Sequence, residues 1–380
     1  MSIDPGPVYL DNAATTRVDD EVARAMVEAM TVDYGNPSSA HRLGVRASAL
    51  LEGARGEVAR ALGGEARDVY FTSGGTEANA LGVRGVAEAA RGRHLVVSAI
   101  EHPSVLEAAR RLVDKGWTLT EVAPEPSGVV DVEAMARAVT PDTALVALML
   151  CSNELGTVQP VFEVARRCKA IAPRMHMHVD AVQAFGKVAF TVGQGPIDSL
   201  AVSAHKIHGP KGAGALWLRR GARVASLTVG GGQERGVRPG TEGVPGAVGL
   251  GAAARRAHAE RGAAIVKMLA LRDQLVEGAR AIFPKLRVNG DPARTAPHIA
   301  SLGFVGVAAE PLLHALEARE VYVSAGSACA AKDRKPSHVL KAIGVPDDVG
   351  VLRFSFARFS TSHDVTRALD ALGAALAEVT

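Results

Sequence analysis

Apolar residues fall into short runs along the chain, with helical stretches between most of them. Seven runs read as strands: Val69–Thr72, Leu95–Ser98, Thr118–Val122, Ala144–Leu150, Met175–Val179, Leu200–Ser203 and Gly214–Leu218. Most are near-continuously apolar, the pattern of strands covered on both faces. Helical spacing falls at about Thr76–Ala90, Ser104–Lys115, Val132–Val139 and Phe162–Ile171. Strands alternating with helices predict an α/β fold, a mostly parallel sheet between helix layers. Only the loop HKIHGPKGAG joins Leu200–Ser203 to Gly214–Leu218, too little for a crossover helix, so these two strands are expected to be antiparallel neighbours.

The pattern then changes. Gly230 to Gly251 holds nine glycines in 22 residues, with Arg235 and Arg238 among them. A long Ala/Arg-rich helical stretch follows, roughly Ala252–Ala281, and then apolar runs near Ile299–Val305, Val321–Ser324 and Val351–Phe356. A last helix is expected from Ser362, a residue suited to an N-cap, with Val365, Leu369, Leu372, Leu376 and Val379 along one face. This half reads as a second, smaller α+β domain.

Composition narrows the class. A chain of 380 residues has room for two sizeable cores. The formal net charge of +3 leaves no footprint for direct nucleic-acid binding. The longest uninterrupted apolar run, Ala144 to Cys151, is eight residues and cannot span a bilayer. Asp4 and Pro5 stand where a secretory signal would need a basic start and an apolar stretch. Three cysteines, Cys151, Cys168 and Cys329, are an odd and sparse set, as expected of free thiols in a reducing cytoplasm.

Five places could carry chemistry. In Phe71-Thr72-Ser73-Gly74-Gly75-Thr76-Glu77-Ala78-Asn79 a strand ends in a glycine turn and a helix follows. Such a turn can hold a phosphate on free backbone N–H groups, or Thr76 can merely cap the helix. In His176-Met177-His178-Val179-Asp180 strand alternation puts both histidines and the aspartate on one face. That set could bind a metal, as in a zinc hydrolase, or the histidines could simply pack. Alternatively Asp180, at the carboxyl end of a parallel strand, could hold a protonated pyridine nitrogen. In Ser203-Ala204-His205-Lys206-Ile207-His208-Gly209-Pro210-Lys211 two lysines could serve as amine nucleophiles, and Lys206 is nearer the strand end. Ser203 and His205 beside it could take a phosphate, whereas Lys211 reads as a surface loop lysine. In Ser324-Ala325-Gly326-Ser327-Ala328-Cys329-Ala330-Ala331 a cysteine sits among tiny residues, with basic groups following that favour thiolate. Finally, Arg353 in a half-buried strand needs an anion, either a substrate carboxylate or an internal ion pair.

In combination and in order, these segments resemble one family. YLDNAATT (9–16), GNPSSAHRLG (35–44), FTSGGTEAN (71–79), EHPSVL (101–106), SNELGTVQP (152–160), HVDAVQAFGKV (178–188), SAHKIHGPKGAGAL (203–216), GGGQERGVRPGTE (230–242), SAGSACAA (324–331) and RFSFARFS (353–360) resemble the class V aminotransferase group of fold-type I pyridoxal phosphate enzymes. Within it they are similar to the NifS/IscS-like cysteine desulfurases. The resemblance implies a large pyridoxal-phosphate-binding domain over residues 15–258, with a mostly parallel seven-stranded sheet. Residues 1–14 with 259–380 would form the small domain.

It also implies roles. Lys206 would hold pyridoxal 5'-phosphate and move the proton at the substrate Cα, Asp180 would pair with the ring nitrogen, and His102 would stack on the ring and share in proton transfers. Gln183 and Asn153 would lie on the ring-oxygen side, with Asn153 near the substrate carboxylate. Gly75, Thr76, Ser203 and His205 would hold the phosphate. Thr241 would reach the phosphate of a neighbouring subunit, so a homodimer is implied. Arg353 would take the carboxylate of L-cysteine. Cys329 would accept the sulfur as a persulfide, leave L-alanine, and pass the sulfur to an acceptor protein such as an iron–sulfur scaffold or a thiolation enzyme.

The chain departs from the family pattern in places. Ala204 stands where glycine is usual, and Ala330-Ala331 where small hydroxyl residues are common. Leu150-Cys151-Ser152 precede Asn153 where a His and a second Asn often occur, and Lys332-Asp333-Arg334-Lys335 is unusually charged. A selenocysteine lyase or another pyridoxal phosphate lyase or aminotransferase of the same fold is the alternative reading.

Overall fold

A computed structural model describes residues 6–326 and 337–379. The chain enters through β1 (Val8–Tyr9) and two helices that apolar periodicity does not reveal, α1 (Asp20–Thr31) and α2 (Arg42–Leu62). Asp19 caps α1 by accepting from the Glu21 N–H, and Gly63, at φ 69°, ends α2 in the left-handed conformation. Helix α1 buries only Val22 and Ala29, and α2 buries four alanines, Gly44 and Arg55 beside Leu51, Val58 and Leu62, so few large apolar residues mark either helix in the sequence.

Next come β2 (Val69–Thr72), α3 (Gly75–Ala80), a π-helical segment Leu81–Gly85 and α4 (Val86–Ala89). The alternation then runs through β3 (His94–Ser98), α5 (Pro103–Val113), β4 (Thr118–Val122), α6 (Val132–Ala138), β5 (Thr143–Met149), α7 (Val161–Ile171), β6 (His176–Asp180), β7 (Ser199–Ser203) and β8 (Gly214–Leu218). These strands form one seven-stranded sheet in the order β2-β8-β7-β6-β5-β3-β4. As the short loop requires, β8 is antiparallel to β7, and it is antiparallel to β2 as well; the other pairs are parallel. Every residue of β3, β5, β6, β7 and β8 is buried, which is why these strands read as continuous apolar runs. Met149 pairs with Asp180 and Asp180 with Ala201, so the carboxyl ends of β5, β6 and β7 align along one edge of the sheet.

Helix α8 (Val244–Ile282) begins at Val244 rather than near Ala252. The glycines that suggested a loop there are a packing surface. A Cβ on Gly251 would come within 2.7 Å of Ala54 Cα on α2, and one on Gly249 within 2.9 Å of Pro210. Its first half, with Leu250 and Ala254, joins the core of the large sheet, and its second half, with Met268 and Leu275, joins a separate core. That second core is completed by β9 (Leu286–Asn289), β10 (Ile299–Val305), α9 (Ala309–Glu317), β11 (Val321–Tyr322), β12 (Val349–Ser355) and α11 (Ser362–Val379), whereas α10 (His338–Ala342) packs through Val339 onto the core of the large sheet. The sheet of the second core is antiparallel in the order β12-β10-β9, and β1 pairs in parallel with β11. Thr361, not Ser362, caps α11: its Oγ1 accepts from the Asp364 N–H at 3.2 Å while the Asp364 carboxylate accepts from the Thr361 N–H at 2.8 Å. This reciprocal pair satisfies two free N–H groups at once.

The glycine-rich loop before α8 is clamped from inside. Glu234 and Arg235 adopt left-handed φ of 45° and 54°. The Arg55 fork grips both Glu234 oxygens at 2.8 Å, and the same carboxylate accepts from the Phe71 N–H at 2.8 Å. Both side chains are almost wholly buried. Replacing Glu234 with Ala strands a buried guanidinium, and urea unfolding is expected to show a loss of about 3–5 kcal/mol.

Candidate active site

A cavity of about 280 Å³ opens at the carboxyl edge of the large sheet. Gly75, Thr76, His102, Asn153 and Asp180 line it, and so do Gln183, Ser203, His205, Lys206 and Arg353. Segments far apart in sequence thus converge where an α/β sheet binds ligands.

One end suits a phosphate. Helix α3 starts at Gly75, with Gly74 before it at φ 154°, so Thr76 does not cap the helix and stands within its first turn. A Cβ on Gly75 would meet Val182 Cγ2 at 2.7 Å, so the backbone here lies closer to its surroundings than any side chain allows. Across from it the Ser203 Oγ is buried and without a partner. An orphaned hydroxyl beside free helix N–H groups fits an anion. Burial pulls His205 down to about 4, with Lys206 adding to the effect, so it is neutral there and its Nδ1 meets Thr15 Oγ1 at 3.2 Å.

At the centre, the Lys206 Nζ donates to the carbonyls of Ala13 and Ala14, each at 2.6 Å. The Gln183 Nε2 donates to the same Ala13 carbonyl at 2.8 Å. A second lysine lies behind: the buried Lys187 Nζ donates to Gln183 Oε1 at 3.4 Å and to the Lys206 carbonyl at 3.3 Å. Burial, together with the Lys206 charge, pulls Lys187 down to about 7.

Asp180 ends β6 with its carboxylate directed by two donors, the Val182 N–H on Oδ1 at 2.9 Å and Asn79 Nδ2 on Oδ2 at 2.8 Å. His102 caps α5 by accepting the Ser104 N–H on Nδ1 at 3.1 Å. Burial holds His102 below the usual imidazole range although the Asp180 charge pulls the other way. A ring kept neutral there can exchange a proton at its Nε2. The face-sharing of His176, His178 and Asp180 is present, but the histidines are bridged by Ser199, at 2.7 Å from His176 Nε2 and 2.8 Å from His178 Nδ1. Among the described residues no group of three His, Cys, Asp or Glu side chains is arranged to hold a metal ion.

Arg353 carries an internal anion: Nη2 donates to Asp11 Oδ1 and Nη1 to the Asn153 carbonyl, both at 2.8 Å. Its buried Nε has no partner. Of the two readings of this arginine the internal ion pair is the one present, and it leaves a donor on Nε unused.

Thr241 does not line this cavity; it lines a second one of about 190 Å³ with Ser73 and Arg238. Cys329 lies outside the described residues. Cys151 is in the cavity wall, which sequence reasoning missed, and burial pushes its thiol up to about 12. Asn79 was also missed as a functional residue; the available signal is its place three residues after Thr76, on the same helical face.

The buried histidines give a pH prediction. Burial pulls His176 to about 4 and His178 to about 3. Unfolded imidazoles titrate near 6.5, so below that pH the unfolded chain binds protons the fold refuses. Stability is full above about pH 6.5 and falls as pH drops toward 4, by up to about 1.4 kcal/mol per pH unit for each group. Urea unfolding at pH 7, 6 and 5 is expected to show this decline, and His178→Gln to lessen it.

Residues 8–368 match the class-V aminotransferase family. The chain is 41% identical over 374 residues to the cysteine desulfurase IscS of Methanosarcina thermophila, covering 97% of this chain and 92% of that protein. Among solved structures, a NifS-like protein superposes with a TM-score of 0.92 at 37% identity, covering 98% of this chain and all of the other. A structure described as SspA in complex with cysteine superposes with a TM-score of 0.81 at 30% identity, covering 93% and 99%.

Proposed function

We propose the following chemistry for a chain that belongs to the class-V aminotransferase family and is a cysteine desulfurase: L-cysteine becomes L-alanine, and its sulfur passes to the Cys329 thiol as a persulfide. The Cβ–Sγ bond of the substrate breaks and an S–S bond to Cys329 forms. The thiol hydrogens and the electron pair are conserved between the two sides, so no outside oxidant or reductant is needed.

The family implies pyridoxal 5'-phosphate, and the observation that supports its place is the orphaned Ser203 Oγ facing the Gly75 turn in the cavity that also holds Lys206 and Asp180. Bound there, the cofactor supplies an electron sink for charge developing at the substrate Cα. Gly75, Thr76, Ser203 and His205 would bind its phosphate, and Asp180 its ring nitrogen. Gln183 and Asn153 would face its ring oxygen, and His102 its ring face. Lys206 would hold it and carry the proton at Cα through Nζ. Arg353, aligned by Asp11 and the Asn153 carbonyl, would orient the carboxylate of L-cysteine, the ligand named with the SspA structure.

We take residues 15–258 as the large domain and 1–14 with 259–380 as the small one. The separate cavity of Thr241 suits a role for this residue in the site of a partner copy, hence a homodimer. We place the enzyme in the cytoplasm with a protein as sulfur acceptor; no helix among the described residues is long and apolar enough to cross a membrane.

The test is stoichiometric. Purified enzyme carrying its cofactor is given L-cysteine and a thiol reductant, and alanine and sulfide are quantified. Equal amounts of both support the reading; visible cofactor absorption without either product overturns it.

A further inference from the structure

Asp180 and His102 both line the cavity, and one side chain touches Asp180 and the support of His102. Asn79 Nδ2 donates to Asp180 Oδ2 and to Ser104 Oγ, each at 2.8 Å, and Ser104 Oγ lies 2.8 Å from His102 Nδ1. We propose that Asn79 is a positioning residue, and that a buried chain through His178, Ser199 and His176 sets its amide so that both N–H groups face the site. This rests on the reading of the cavity given above.

The chain has one consistent orientation. With the Asn79 amide reversed, its carbonyl would face the Asp180 carboxylate, acceptor against acceptor. The amide N–H groups therefore face Asp180 and Ser104, and Asn79 Oδ1 must accept. Its partner is His178 Nε2 at 3.0 Å, so the His178 proton is on Nε2. His178 Nδ1 must then accept from the Ser199 hydroxyl, and Ser199 Oγ in turn accepts from His176 Nε2–H. At the other end His102 Nδ1 accepts the Ser104 N–H and so carries no proton of its own, which leaves the Ser104 hydroxyl, accepting from Asn79, to donate to the same nitrogen. His102 is left with its proton on Nε2.

The surrounding backbone makes room for this arrangement. A Cβ on Gly82 would lie 2.2 Å from His178 Cε1 and Nδ1, and Gly82 belongs to the π-helical segment Leu81–Gly85. The widened turn admits the imidazole under the helix that also carries Thr76 and Asn79. Burial keeps both histidines neutral, as the directed chain requires.

The test uses the cofactor-loaded enzyme with its histidines labelled in nitrogen-15. Both His178 and His176 are expected to carry the proton on Nε2 at pH 7; a proton on His178 Nδ1 means a reversed Asn79 and overturns the proposal. In His178→Leu, kcat is expected to fall about 10- to 100-fold with KM little changed, and the pH midpoint of the visible cofactor band to shift. His178→Gln, which can donate to Asn79 and accept from Ser199, is expected to restore both. An unchanged midpoint and kcat in His178→Leu overturn the proposal. If that variant does not fold, Ser199→Ala removes only the hydroxyl and answers the same question by the same readouts. Absence of a visible band in the wild type would instead sink the reading of the cavity, and the His178 tautomer remains measurable in that protein.

Discussion

Lys206→Ala is expected to give a folded protein without the visible band of bound cofactor, with L-cysteine turnover lower by at least about four orders of magnitude. The loss is large because two roles fall on one atom. Nζ would both hold the cofactor and carry the proton at Cα, and in the structure it sits in the cavity between the Ala13 and Ala14 carbonyls. The neighbour best placed to replace it chemically is Lys187, whose burial favours the free amine even without the Lys206 charge beside it. Its Nζ, however, is turned to Gln183 Oε1 and the Lys206 carbonyl, and it does not line the cavity. Lys211 is exposed in the following loop. Absorption spectra before and after adding L-cysteine decide the matter. A retained band with retained turnover would transfer the role to one of those two lysines.

Cys329→Ser is expected to do the reverse: keep the visible band and lose both alanine and sulfide, by about a thousandfold or more. A serine hydroxyl has almost no anionic form at neutral pH, whereas a thiol has a usable fraction. The other two thiols cannot stand in. Burial pushes Cys151 up to about 12 and Cys168 up to about 11. The Cys151 Sγ also faces the carbonyls of Ser152 and Gly156, at 3.7 and 3.8 Å. Mass spectrometry after one turnover should find one added sulfur on the Cys329 peptide of the wild type and none in the variant. An added sulfur on Cys151 in the variant would make the cavity-wall thiol the acceptor and remove Cys329 from the reaction.

Much of the large sheet was legible because its strands are covered on both faces, so that β5 and β7 show as unbroken apolar runs. The antiparallel β8 followed from a loop too short for a crossover. The reading failed where burial is done by small residues. Helix α2 packs through four alanines and Gly44 as well as Leu51, Val58 and Leu62, and the start of α8 was hidden by Gly249 and Gly251, which serve close packing rather than a turn. In the site, Asp180, which ends a strand, and Lys206, just past the end of the next, stood out by position. Asn79 did not, since its importance lies in three hydrogen-bonding neighbours, Asp180 and His178 from β6 and Ser104 from α5, and no local pattern encodes such a meeting.

Helix α8 gives its first half to one hydrophobic core and its second half to the other, within a single run of backbone hydrogen bonds. A helix melts cheaply from its ends and at high cost from its middle, because a break inside must create two new frayed termini. Both ends of α8 are anchored, one in each core. Thermal damage that begins in the smaller core therefore travels along a shared spine into the cofactor-binding half, and the two halves denature as one cooperative unit. Conversely, cofactor that tightens the large half also raises the melting resistance of residues that never touch it.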